Sequence, residues 1–336
     1  MAPSATILGC AGPVLSTNEA AFFADAQPWG FILFARNCEN PDQLRRLTLA
    51  LRDALGRNAP ILIDQEGGRV QRMWPPYWRA WRPALDQVMD AGPAGAARSM
   101  YLRARLIAAE LHDVGIDVNC APLADVARDT THLFLKNRLY GFAPDAVVGA
   151  ARAVAQGLLD GGVLPVIKHI PGHGHATVDS HLGRPRVSDA RAELDRIDFA
   201  PFAALADLPM GMTAHLVYDA LDPDLPATFS ATMIDLIRDR IGFRGLLMTD
   251  DLSMGALPGP IGERAARARA AGVDVILHCN GDMAEMADVV AAAGDLSGVA
   301  GRRADAALAA RRVPAPLDIP DAEAELDALL RGQVYV

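Results

Sequence analysis

The chain has 336 residues, 51% of them hydrophobic and 22% charged, which describes a folded protein with a sizeable core and excludes a disordered one. Its 41 acidic against 32 basic side chains leave a net charge of −9 with no basic run, which excludes the footprint of a nucleic-acid binder. No apolar run approaches the roughly 18 residues of a membrane span, and the N-terminal stretch lacks the basic region of a secretion signal. Cys10, Cys38, Cys120 and Cys279 lie far apart without a CxxC pair, so reduced thiols in a cytoplasmic protein are expected.

In chain order, short apolar runs end abruptly in polar residues and are followed by helical stretches. Ala5–Leu8 is the first run, then Phe31–Phe34 leading into Ala35-Arg36-Asn37, and Ile61–Ile63 leading into Asp64-Gln65-Glu66. Ile116–Val118, Leu164–Ile167, Gly211–Thr213, Leu246–Met248 and Val273–Leu277 bring the number to eight. Unbroken apolar runs are the mark of strands buried on both faces of a parallel sheet. Between the runs, the clearest helix starts with Asn40 as cap, Pro41 at its first position and Gln43 three residues after the cap. Leu44, Leu47, Leu51 and Leu55 form its apolar face and Gly56 ends it. Further helices are predicted over 96–113, 145–160, 189–206, 230–240, 261–271, 283–294 and 300–312.

Eight strand–helix units with polar strand ends favour an α/β fold of the (β/α)8 TIM-type barrel, with the active site at the C-terminal ends of the strands. No GxGxxG follows the first strand, so a dinucleotide fold lacks its main support. The barrel is expected to span 1–315, and 316–336 to form a tail with a short helix, 321–331, packing on it.

Three constellations could carry chemistry. Four of the eight histidines fall in Lys168-His169-Ile170-Pro171-Gly172-His173-Gly174-His175 and Asp179-Ser180-His181, where prolines and glycines exclude a regular helix. A solvated loop, a metal site on His173, His175 and Asp179, or an acid–base pair of Asp179 and His181 would each fit that composition. Leu246-Leu247-Met248-Thr249-Asp250-Asp251 places two carboxylates at a buried strand's end, as reacting groups or as caps. Asp64-Gln65-Glu66-Gly67-Gly68-Arg69-Val70-Gln71-Arg72 has the donors and acceptors of a sugar clamp.

Together with Phe31-Ile32-Leu33-Phe34-Ala35-Arg36-Asn37, Met212-Thr213-Ala214-His215 and Leu252-Ser253-Met254, these segments resemble the bacterial β-N-acetylglucosaminidases of glycoside hydrolase family 3 over most of the chain. The resemblance implies a retaining double displacement that removes terminal N-acetylglucosamine from 1,6-anhydro-muramoyl peptides in cytoplasmic cell-wall recycling. By that likeness Asp250 is the nucleophile, and His181, oriented by Asp179, is the acid and base. Asp64, Arg72, Arg138, Lys168 and His169 match the positions that grip the sugar. Around Arg138 the stretch Leu135-Lys136-Asn137-Arg138-Leu139-Tyr140-Gly141 departs from the family's shorter Arg-Ser-Phe pattern.

Phosphorolysis through the same nucleophile, a metal-dependent barrel hydrolase and a non-catalytic glycan sensor are the competing readings. The expected partner is a small glycan or muropeptide, with no nucleic acid, membrane, metal or cofactor, on a monomer or weak homodimer. The loop 171–187, rich in glycine and proline, is expected to be mobile and to close on substrate.

Overall fold

The computed structural model describes residues 2–175 and 185–335. Eleven strands run in chain order among them: β1 Ser4–Gly9, β2 Pro28–Leu33, β3 Ile61–Ile63, β4 Val118–Asn119, β5 Leu164–Ile170, β6 Arg186–Val187, β7 Met210–Thr213, β8 Val217–Tyr218, β9 Asp222–Pro226, β10 Leu246–Met248 and β11 Ile276–His278. Eight of them form one parallel sheet in the order β10-β7-β5-β4-β3-β2-β1-β11, in which each strand lies beside its sequence neighbour. A parallel bridge between Met248 and Val275 joins its two ends, with the Thr249 N–H donating to the Val275 carbonyl at 3.1 Å. The result is the (β/α)8 barrel that the alternation of apolar runs and helices predicts.

All eight barrel strands are buried along their length. Thr17–Ala26, Pro41–Leu55, Ala84–Asp113, Pro144–Asp160, Ile261–Ala271 and Met283–Ala293 are the principal helices around them. In Pro41–Leu55 the Asn40 side chain accepts from the Gln43 N–H at 3.0 Å, and Gly56 takes φ 63° to end the helix. Leu44, Leu47, Leu51 and Leu55 are buried, each contributing about 2 kcal/mol through apolar area removed from water.

Three departures from the sequence expectation have local causes. The helix expected at 96–113 extends back to Ala84, across a kink at Gly92, whose φ of 65° and ψ of 175° are non-helical, beside Pro93. The helix expected over 189–206 is broken into Arg191–Glu193, a wide-turned Leu194–Asp198 and Ala200–Ala204, with Pro201 removing an N–H donor. Strands β6, β8 and β9 build a small sheet over the barrel mouth that no periodicity announced, because two of them are two residues long.

The tail carries the helix Ile319–Leu330, whose Ala322, Leu326 and Leu330 are buried and whose Glu323 and Glu325 pair with Arg79 and Arg98 at 2.7 and 2.6 Å. Among the described residues no helix is long and apolar enough to cross a membrane.

Candidate active site

A pocket of about 260 Å³ opens at the C-terminal ends of the barrel strands. Asp64, Arg72, Arg138, Lys168, His169 and Asp250 all line it, though in sequence they are scattered over nearly two hundred residues. Asp179 and His181 lie outside the described residues, as does most of the loop 171–187.

One wall is a network of paired charges. Asp64 follows β3, and its two carboxylate oxygens accept from Lys168 Nζ at 2.8 Å and Arg72 Nη2 at 3.2 Å. Lys168 also meets Glu66 Oε1 at 2.6 Å, and Glu66 in turn accepts a two-point bond from Arg138, both arms 2.8 Å. Lys168 and Glu66 are almost fully buried, so this is a desolvated pairing rather than a surface one. Burial by itself would raise the carboxyls, but Lys168 and Arg72 hold Asp64 well below the usual range, and Arg138 and Lys168 do the same for Glu66. Burial opposes the charge on Lys168 as well, and Asp64 and Glu66 reverse that and raise its pKa.

Gln65 locks the clamp loop to the barrel. Its backbone N–H donates to Asn119 Oδ1 at 3.0 Å, and its side-chain oxygen accepts from the Arg72 N–H at 2.9 Å. Arg72 is thus fixed through its backbone before its guanidinium reaches Asp64.

The opposite wall carries Asp250, two residues beyond β10. One of its oxygens accepts the Asp251 N–H at 2.8 Å, and the other stands 4.0 Å from His169 Nε2. Among the described residues no lysine or arginine pairs with it. Burial raises its carboxyl, and His169, His215, the Asp251 N–H and Lys168 together outweigh that and hold it below its ordinary value. Asp251 differs: its oxygens accept from the Ser253 N–H at 3.1 Å, the Ser253 hydroxyl at 2.5 Å and the Cys279 N–H at 3.3 Å. Those bonds turn Asp251 into a loop brace and leave Asp250 as the carboxylate available to a ligand.

Asp125, in the buried run Ala121-Pro122-Leu123-Ala124-Asp125-Val126, is a residue that motif reading missed. It is fully buried and accepts His169 Nδ1 at 2.8 Å and the His173 N–H at 2.6 Å. A carboxylate on Nδ1 fixes a proton there and presents Nε2 toward the pocket. An acid inside an apolar run was the available signal, since a buried carboxylate needs partners. Glu66 was visible in its motif, but its partner Arg138 is 72 positions away. His215 donates from Nε2 to the Asp251 carbonyl at 3.1 Å, and burial lowers its pKa.

His173 and His175 do not converge. His173 is buried beside His169, whereas His175 sits between Asp189 and Asp198, at 3.0 and 3.1 Å. Among the described residues no three His, Cys, Asp or Glu side chains form a metal-binding group.

A barrel whose strand ends carry this paired clamp opposite a lightly held carboxylate has the layout of a glycoside hydrolase. The family description "Glycosyl hydrolase family 3 N terminal domain" matches residues 13–313. A protein of Alkalilimnicola ehrlichii named "Beta-hexosaminidase" is 42% identical over 282 residues, covering 82% of this chain and 80% of that one. One of the same name from Xylella fastidiosa is 36% identical over 313 residues, covering 90% and 88%. The crystal structure of native NagZ from Neisseria gonorrhoeae superposes with a TM-score of 0.84 at 29% identity, over 99% of this chain and 97% of that one. A family 3 β-N-acetylglucosaminidase from Paenibacillus matches at a TM-score of 0.80 and 28% identity, over 97% of this chain and 61% of its own longer one. The chain belongs to glycosyl hydrolase family 3.

Proposed function

We propose that the protein is a retaining exo-β-N-acetylglucosaminidase that removes terminal N-acetylglucosamine from peptidoglycan-derived muropeptides in the cytoplasm. The observation that carries this reading is the asymmetry of the pocket, a paired clamp facing a carboxylate with one hydrogen bond among the described residues. The names of the relatives, a hexosaminidase and a β-N-acetylglucosaminidase among them, support the sugar.

In the proposed reaction Asp64, Arg72, Arg138, Lys168 and His169 hold the terminal sugar. Asp250 attacks the anomeric carbon, a carbon–oxygen bond to the enzyme forms, and the bond to the leaving oxygen breaks. His181, oriented by Asp179, gives that oxygen a proton and then takes one from the water that releases the sugar. Asp250 suits this role because its carboxyl is held below its ordinary value and, among the described residues, no lysine or arginine consumes its lone pairs.

The test is turnover of paired aryl β-glycosides, N-acetylglucosaminide against glucoside, in phosphate-free buffer containing a chelator. Fast release from the N-acetyl substrate, with free N-acetylglucosamine as product, is expected. Turnover that appears only on adding phosphate, with a sugar 1-phosphate as product, would replace hydrolysis by phosphorolysis. Turnover that appears only with added zinc would replace both.

A further inference from the structure

Among the described residues, the lysine and arginines of the pocket are paired with protein carboxylates, with one exception. Arg72 and Lys168 meet Asp64, and Arg138 meets Glu66. Arg69 lines the same pocket, and among the described residues no acidic side chain pairs with it. Its guanidinium lies 4.0 Å over the Phe134 ring, which also faces Arg138 at 5.6 Å. Stacking covers a face of the guanidinium and leaves its N–H edge free to donate.

Arg69 is held in place by a tight turn. The Gly67 N–H donates to the Val70 carbonyl at 3.1 Å, and Gly67 and Gly68 both have positive φ, 96° and 59°. A Cβ on Gly67 would stand 1.8 Å from Arg103 and 2.7 Å from Trp81, so the turn is packed tightly against the body of the protein. Arg69 is exposed, whereas Lys168 deeper in the pocket is 2% exposed. In a pocket closed at one end, a terminal sugar fills the closed end and the leaving group stands at the mouth.

We infer that Arg69 forms a binding position for an anion on the leaving group, a carboxylate carried by the sugar or peptide beyond the scissile bond. This rests on the proposal that Asp250 cleaves a terminal N-acetylglucosaminide. The overall charge of −9 repels an anionic substrate, and Arg69, uncompensated among the described residues, offsets that repulsion at the mouth where the substrate enters.

The experiment compares kcat/KM for 4-nitrophenyl and 3-carboxy-4-nitrophenyl β-N-acetylglucosaminide, in wild type, Arg69→Gln and Arg69→Lys, at low salt and in about 0.5 M NaCl. The readout is the carboxylated-to-neutral ratio, so the leaving groups' intrinsic reactivities cancel between variants. Arg69→Gln is expected to lower the ratio about fivefold, chiefly through KM, and Arg69→Lys to restore part of it. High salt is expected to lower the wild-type ratio in the same direction. A ratio that does not move between wild type and Arg69→Gln while both substrates are cleaved overturns the role of Arg69 alone. Failure of wild type to cleave either substrate overturns the glycosidase reading and this inference with it.

Discussion

Asp64 and Asp250 both stand just beyond barrel strands on the wall of one pocket, and they are held in opposite ways. Asp64 accepts from a lysine and an arginine, and Lys168 links it onward to Glu66 and Arg138. Among the described residues Asp250 accepts one backbone N–H and has a histidine at 4.0 Å. Both carboxyls are held below their ordinary pKa, so ionisation does not distinguish them. Lone-pair occupancy does. A carboxylate saturated by cations can orient a sugar hydroxyl, whereas one with an open oxygen can form a new bond.

The strongest way to break this comparison is Asp250→Ala. Steady-state turnover of an aryl N-acetylglucosaminide is expected to fall by at least about a thousandfold, roughly 4 kcal/mol of transition-state stabilisation. Its melting temperature should stay within a few degrees of wild type, since the open oxygen has little structural work. Retention of more than a few per cent of activity would remove Asp250 as the attacking group.

Lys168→Met probes the other side. It leaves Asp64 and Glu66 facing a neutral side chain in a buried site, and a loss of about 3–5 kcal/mol in urea unfolding is expected. A loss under about 1 kcal/mol would mean that the clamp is not the desolvated network its distances describe.

The smallest expected effect concerns pH. Burial, then the neighbouring His169, pushes the His173 imidazole down to about 4, while an unfolded histidine titrates near 6.5. The unfolded chain therefore binds the extra proton first, and stability falls as pH drops from about 6.5 toward 4, by on the order of 2–3 kcal/mol. Asp64 and Glu66, whose pKa values are lowered, contribute stability that is complete above the unfolded carboxylate range and is lost only as pH falls through their depressed values. Urea midpoints at pH 7 and pH 5 should differ in wild type and differ less in His173→Gln, where the buried His215 keeps its own share of the dependence. Equal midpoints in wild type would contradict the burial argument.

Much of the barrel was legible because most of its strands lie in apolar runs and helices such as Pro41–Leu55 carry a 3.6-residue apolar stripe, whereas Thr17–Ala26, with Glu19 and Phe23 as its buried residues, offered none. Ile61–Ile63 and Leu246–Met248 have the bounds the runs indicated, and Pro41–Leu55 starts and stops at its cap signals. The helix break after Glu193 was hidden because its wide turn preserves the apolar spacing that reads as regular helix. In the pocket, Asp64 and Lys168 announced themselves through dense local motifs. Asp125 did not, since its partners are His169 and His173, 44 and 48 positions away, and a single acid in an apolar run does not name them. Asp250 was singled out over Asp251 only through the family resemblance, because the physical distinction depends on which carboxylate turns toward Ser253 and Cys279.

Trp81 packs against the turn that carries Arg69, and it is also bridged to Tyr335, their rings 5.3 Å apart. Arg82 beside it donates to the Gln333 carbonyl at 2.7 Å. A ribosome makes the clamp loop more than 250 residues before it makes these partners. During synthesis the barrel strands can therefore assemble in order while the support behind the loop is still missing. The clamp loop would then gain this support only once Gln333 and Tyr335 have been made, which sets completion of the pocket after assembly of the strands that frame it.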